Sequence, residues 1–81
     1  MERTAILEKL TAIFHNTFND NSIVLRDDMT ANDVSNWDSL THMIMIGEVE
    51  NTFGIKFKLK ELNKLKDVGT LIEMIAEKMT S

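Results

Sequence analysis

The chain has 81 residues, 43% hydrophobic and 27% charged, with 13 acids, 9 bases and 2 histidines for a formal net charge of -4, and it contains no cysteine. Those figures describe one soluble globular domain over residues 1–81 with a modest core. They exclude a disulfide framework or thiolate metal site, argue against a nucleic-acid partner whose phosphates a net-negative chain repels, and leave little room for a multi-step enzyme with a deep pocket.

Residues 4–18 open the chain with Ile6, Leu7, Leu10, Ile13, Phe14 and Phe18 at spacings of one, three and four, the pattern of an amphipathic helix. The start, Met1-Glu2-Arg3-Thr4, lacks the basic-then-apolar layout of a signal peptide, and no apolar run approaches the ~20 residues of a membrane span. The expectation is a cytoplasmic protein whose partners are proteins. His15 lies near the apolar stripe and is not at metal-site spacing from His42, the other histidine.

Asn19-Asp20-Asn21-Ser22 breaks the helix with side chains that compete for backbone hydrogen bonds. A long connection follows as far as Trp37. Loops beyond about 12–15 residues are unusual in compact domains unless functional or disordered, and Ile23, Val24, Leu25, Met29, Val34 and Trp37 are the anchors expected to fold this one onto the body. Asp27-Asp28 and Asp33 lack the D-x-[DN]-x-[DN]-G arrangement and closing Glu of an EF-hand, so no metal site is expected.

A second helix is expected from Ser39 to about Phe53. Asp38 is its N-cap, since a carboxylate accepts the free amide hydrogens of the first turn, and Gly54 ends it at the left-handed position, with Ile55 or Phe57 closing back. At about 100° per residue, Met45, Ile46, Val49 and Phe53 fall on one side and Leu40, Met43, Ile44 and Gly47 on the opposite side. An ordinary surface helix needs one apolar stripe. A domain of this size buries only about 60–65% of its unfolded surface, too little to wrap both faces, so one face is core and the other is left for something else. The alternative is a central helix covered on both sides by its own chain.

Residues 58–65 carry leucines three apart, as a brief helix or 3₁₀ turn does. Asp67 restarts the chain as an N-cap, and Val68, Leu71, Ile72, Ile75 and Met79 give a last helix its inward face to about Lys78. The architecture is all-α: three longer helices, one short one and a long ordered first loop, without repeat or linker. Charge is segregated along it. Asp20, Asp27, Asp28, Asp33, Asp38, Glu48 and Glu50 face Arg26 alone in residues 20–50, whereas Lys56, Lys58, Lys60, Lys64 and Lys66 face only Glu61 in residues 56–66.

Ser39 is the residue on which function turns, a primary hydroxyl on the first turn of a helix after a long polar loop. No G-x-S-x-G elbow surrounds it and no His-Asp pair is arranged for it, since His42 points toward the core-side stripe, so self-contained catalysis is not expected. Ser39 then either caps its helix or accepts a phosphate-linked group, which the free amides and dipole of a helix N-terminus favour.

Asp38-Ser39-Leu40 in mid-chain, followed by Val49-Glu50-x-x-Phe53-Gly54-Ile55 and later by Asp67-Val68, resembles the acyl carrier protein family over nearly the whole chain. The resemblance implies a four-helix bundle that is not an enzyme. Ser39 would receive 4′-phosphopantetheine from coenzyme A through a separate phosphopantetheinyl transferase, with Asp38 and Leu40 beside the arm. The arm would carry an acyl or aminoacyl group as a thioester between an activating ligase and acyltransferase or synthase enzymes. Leu40, Met43, Ile44 and Gly47 would form the partner face of a monomeric carrier, with Glu48 and Glu50 on its flanks, where rim charges set association rate and partner choice.

Some members of the family fold the acyl chain between their helices, and Met43, Met45 and Met74 are among six methionines that make an interior compliant enough for this. Core filling is the plainer reading of Met45 and Met74, with Met43 reserved for partner contact. Carriers of fatty-acid synthesis in this family are usually acidic along helix two and after it. Here Thr41 and His42 replace acids and five lysines follow, which points to a dedicated pathway such as a secondary-metabolite, cell-surface polysaccharide or aminoacyl-transfer route. The reading from another class is a helical adaptor that docks a partner helix, with Ser39 only a cap.

Overall fold

In the computed structural model the protein is an all-helical bundle, with no strand among the described residues, 2–80. Met1, the first residue of the N-terminal tetrapeptide, lies outside them. In chain order come α1 (Arg3–Phe18), a 3₁₀ turn (Ala31–Asp33), α2 (Ser39–Phe53), the single-turn α3 (Leu59–Leu62) and α4 (Val68–Thr80). The expected elements are present within a few residues of their expected bounds. The 3₁₀ turn is an addition, closed by a capping box in which Thr30 and Asp33 exchange side-chain and backbone bonds.

The core is built from stripes of the three long helices. Ile6, Leu10 and Phe14 of α1, Met45 and Val49 of α2, and Val68 and Ile75 of α4 are fully buried, and α1 packs on both α2 and α4. α1 ends at Asn19 in the left-handed conformation (φ 52°) and α2 at Gly54 (φ 66°). After Gly54 the amide of Ile55 returns to the carbonyl of Glu50 at 3.1 Å, which satisfies a helix-end carbonyl.

The long loop is stitched down by its backbone as much as by side chains. Val68 N–H donates to Met29 O and Gly69 N–H to Asp27 O, both at 2.9 Å, so the first turn of α4 holds the loop. A Cβ on Gly69 would stand 2.9 Å from that Asp27 oxygen, so only glycine permits the approach. Ile23, Leu25, Met29 and Val34 are buried as expected, but Val24 is 74% exposed. This corrects one anchor: burial alternates through Ile23-Val24-Leu25, and in a non-helical run neighbouring side chains leave on opposite sides.

The basic connection carries α3 as a local structure. Glu61 accepts from Lys58 N–H at 2.7 Å and pairs with Lys78 of α4 at 2.8 Å, and Lys78 lies 5.6 Å from the centre of the Phe57 ring. Lys56, Lys58, Lys60, Lys64 and Lys66 are all exposed. No helix among the described residues is long and apolar enough to cross a membrane.

Candidate functional site

Ser39 is the first residue of α2, and its neighbours on both sides do the capping. Asp38 Oδ1 accepts from Leu40 N–H and Thr41 N–H, each at 3.0 Å. Thr41 Oγ1 accepts in return from Asp38 N–H at 2.8 Å and donates to Asn36 O at 2.6 Å, where Asn36 takes a left-handed φ of 71°. The Thr41 amide first, with that of Leu40, holds the Asp38 carboxyl below the usual carboxylate range.

Two consequences follow for Ser39. It is not the cap, and its exposed hydroxyl makes no hydrogen bond to any described residue. Of the first-turn amides expected to favour a phosphate, not all are free. Those of Leu40 and Thr41 are occupied, because an aspartate one residue earlier reaches them without leaving its own backbone position.

Sequence reasoning missed the group behind the serine. Trp37 is half-buried against α1, its ring edge-on to Phe14 (centroids 5.3 Å, 86°) and tilted on Phe18 (5.6 Å). Its indole N–H donates to Nδ1 of His42 at 3.1 Å. His42 therefore faces Trp37 rather than serving Ser39 as a base, and burial lowers its pKa. The signal available was an indole donor two residues before the serine and an imidazole three residues after it; Trp37 precedes α2, so the path of the chain into the helix, not helical spacing, brings the two together.

These residues line a pocket of roughly 420 Å³ between the N-terminal ends of α2 and α4. Ser39, Met43 and Lys66 are among the residues lining it, with Trp37, His42, Met45, Leu65 and Leu71. The size falls within the range of small-molecule sites. Met45 is wholly buried, while Met74, expected as core, is only half-buried. Asp67 caps α4 through Thr70, its carboxylate accepting from the Thr70 amide at 2.8 Å and hydroxyl at 2.7 Å, and those bonds lower its pKa.

The two faces of α2 are as distinct as their spacing implies. Leu40, Met43 and Ile44 are 71%, 53% and 50% exposed, whereas Met45, Ile46, Val49 and Phe53 are 6% exposed or less. Gly47 opens onto unfilled space, with nothing within 4 Å of an added Cβ. Glu48 is exposed, but Glu50 departs from the expectation of a free flanking charge. It is half-buried and accepts from Phe57 N–H at 2.9 Å, fastening the chain that leaves α2. Among the described residues no group of acids and histidines is placed to hold a metal ion.

No family model matches the sequence, and no curated protein does. Among solved structures the chain is similar to the holo acyl carrier protein of Geobacter metallireducens, determined in solution by NMR. The two are 47% identical and superpose with a TM-score of 0.87 over 91% of this chain and 85% of that one.

Proposed function

The chain belongs to the acyl carrier protein family, and on that premise we propose that Ser39 is the attachment point of a 4′-phosphopantetheine arm loaded with an acyl or aminoacyl thioester. As a member of that family the protein is a carrier and not an enzyme. The observation that carries the proposal is the state of the Ser39 hydroxyl, exposed and without a hydrogen-bond partner while Asp38 does the work of the cap.

The residues present fit the arm. A phosphodiester needs an accessible oxygen to hang from, and a thioester-borne group needs apolar surface to shelter on. Ser39 offers the first and the adjoining pocket the second. When bound, the arm supplies a terminal thiol, which the cysteine-free chain lacks. Asp38 keeps its charge beside the serine, which favours a phosphate facing solvent over one drawn into the helix end.

Leu40, Met43, Ile44 and Gly47 then form the docking face for a phosphopantetheinyl transferase, an activating ligase and acyl-transferring or synthase enzymes. Glu48 is the free charge at its flank, and Glu50 serves chiefly to hold the segment after α2. The carrier acts as a cytoplasmic monomer in a dedicated pathway rather than in general fatty-acid elongation. Thr41, His42 and the exposed lysines from Lys56 to Lys66 support that assignment, since they replace or counter the acids of a general-purpose carrier.

The test is direct. Incubated with coenzyme A and a broad-specificity phosphopantetheinyl transferase, the purified chain gains the mass of one phosphopantetheine, and Ser39→Ala gains none. A chain that gains nothing, as a simple helical adaptor would, or a Ser39→Ala variant that still loads, overturns the proposal.

A further inference from the structure

The pocket beside Ser39 contains one group that packing alone does not demand. An indole N–H can only donate, so the 3.1 Å bond from Trp37 makes Nδ1 of His42 an acceptor. The two rings lie within 16° of parallel with centroids 6.1 Å apart. A neutral imidazole with its lone pair on Nδ1 carries its proton on Nε2.

That Nε2–H has no acceptor among the described residues. It is not sealed in the protein either, because no buried side-chain nitrogen or oxygen among them lacks a partner. His42 is instead part of the pocket wall. The carboxylates around the pocket are engaged elsewhere, Asp38 with the amides of Leu40 and Thr41 and Asp67 with Thr70. Lys66 is exposed at the rim. Apart from the ammonium of Lys66 at the rim, His42 is thus the donor in the pocket wall placed to meet whatever enters between Met45, Leu65 and Leu71.

We infer that His42 is a specificity-determining residue whose Nε2–H donates to an oxygen of the carried group, so that the pocket favours hydroxyacyl or oxoacyl groups over plain alkyl chains of equal length. The inference rests on the carrier reading of Ser39. A plain alkyl chain that fills the pocket strips water from the donor and offers nothing in exchange, a loss of about ten-fold or more in seated population for a stranded polar group. An oxygen on the chain removes that loss. Burial lowers the pKa of His42, which favours the neutral, Nε2-protonated form on which the geometry depends.

The experiment compares two loaded forms of the whole chain, one carrying hexanoyl and one 3-hydroxyhexanoyl, each installed from its coenzyme A thioester by a phosphopantetheinyl transferase. Mass verifies loading. The Met45 methyl resonance, in the pocket wall, reports the seated fraction, and the His42 ring-nitrogen resonances report the bond. The hydroxyacyl form is expected to seat about ten-fold more, with a shifted Nε2 whose proton exchanges more slowly with water. His42→Leu should abolish the preference and His42→Gln, which keeps an N–H donor, should restore part of it. Equal seating of the two groups in the native chain overturns the inference without recourse to any variant. So does an Nε2 shift already complete in the cargo-free phosphopantetheinyl form, since the donor would then serve the arm. A native chain that gains no mass overturns the carrier reading itself, and that result is distinct from a loaded chain with an unmoved His42.

Discussion

Ile44→Glu and Phe53→Ala, compared in one experiment, test the division of α2 into an inner and an outer face. Full burial of an isoleucine side chain is worth about 1.5–3 kcal/mol, and Ile44 is 50% exposed, so about 1 kcal/mol of burial is at stake. The new carboxylate stands four residues from Glu48, and like charges at that spacing cost a further ~0.2–0.5 kcal/mol. The total is about 1–2 kcal/mol. Phe53 is 6% exposed at the other face, where truncation of a buried phenylalanine costs about 3–5 kcal/mol. For a domain of this size 1 kcal/mol moves the melting temperature by about 4–8 °C. Urea unfolding followed by far-ultraviolet circular dichroism gives both stabilities, and mass after incubation with coenzyme A and transferase gives loading. Ile44→Glu should stay folded and load at least ten-fold more slowly, whereas Phe53→Ala should be largely unfolded or close to it. If Ile44→Glu loses as much stability as Phe53→Ala, the outer face is packed and the docking argument fails.

Other perturbations probe the parts that position the site. Gly69→Ala places a methyl 2.9 Å from Asp27 O and strains the bond from the same residue's amide, so it should cost about 1–3 kcal/mol in urea titration; a neutral result would mean that the loop is not held there. Asp38→Ala removes the acceptor for two first-turn amides and should lower the melting temperature by about 5 °C, with fraying at Ser39–Thr41 visible in amide exchange. His42 binds fewer protons in the folded than in the unfolded chain because burial lowers its pKa. Its contribution to stability is therefore complete above the unfolded value of about 6.5 and is lost as pH falls through the lower folded value. His42→Phe should flatten that part of the stability profile, and a profile unchanged by the substitution would remove His42 as its source.

The helices were legible because each is specified by neighbours in sequence. Apolar spacing marks the buried stripes of α1, α2 and α4, Asp38 and Gly54 bracket α2, and Asp67 marks the start of α4. Exposure of Leu40, Met43 and Ile44 was legible from the same periodicity joined to a size argument. The loop was less so. Val24 and Leu25 are equally apolar, and only the path of the chain over α1 and α4 decides that one of them faces solvent.

By itself, then, the sequence determined the helices, the two-sided character of α2 and the placing of a serine at its mouth, all consequences of periods and caps spanning a few residues. Tertiary structure alone decided that the amides of Val68 and Gly69 hold the loop at Met29 and Asp27, that Glu50 fastens Phe57, and that Trp37 aims its N–H at His42 over a pocket reaching α4. The physical reason is the same in each case. Apolar burial is non-directional and survives compression into a pattern, whereas a hydrogen bond depends on the position of both atoms to within a few tenths of an ångström, and the packed chain sets those positions.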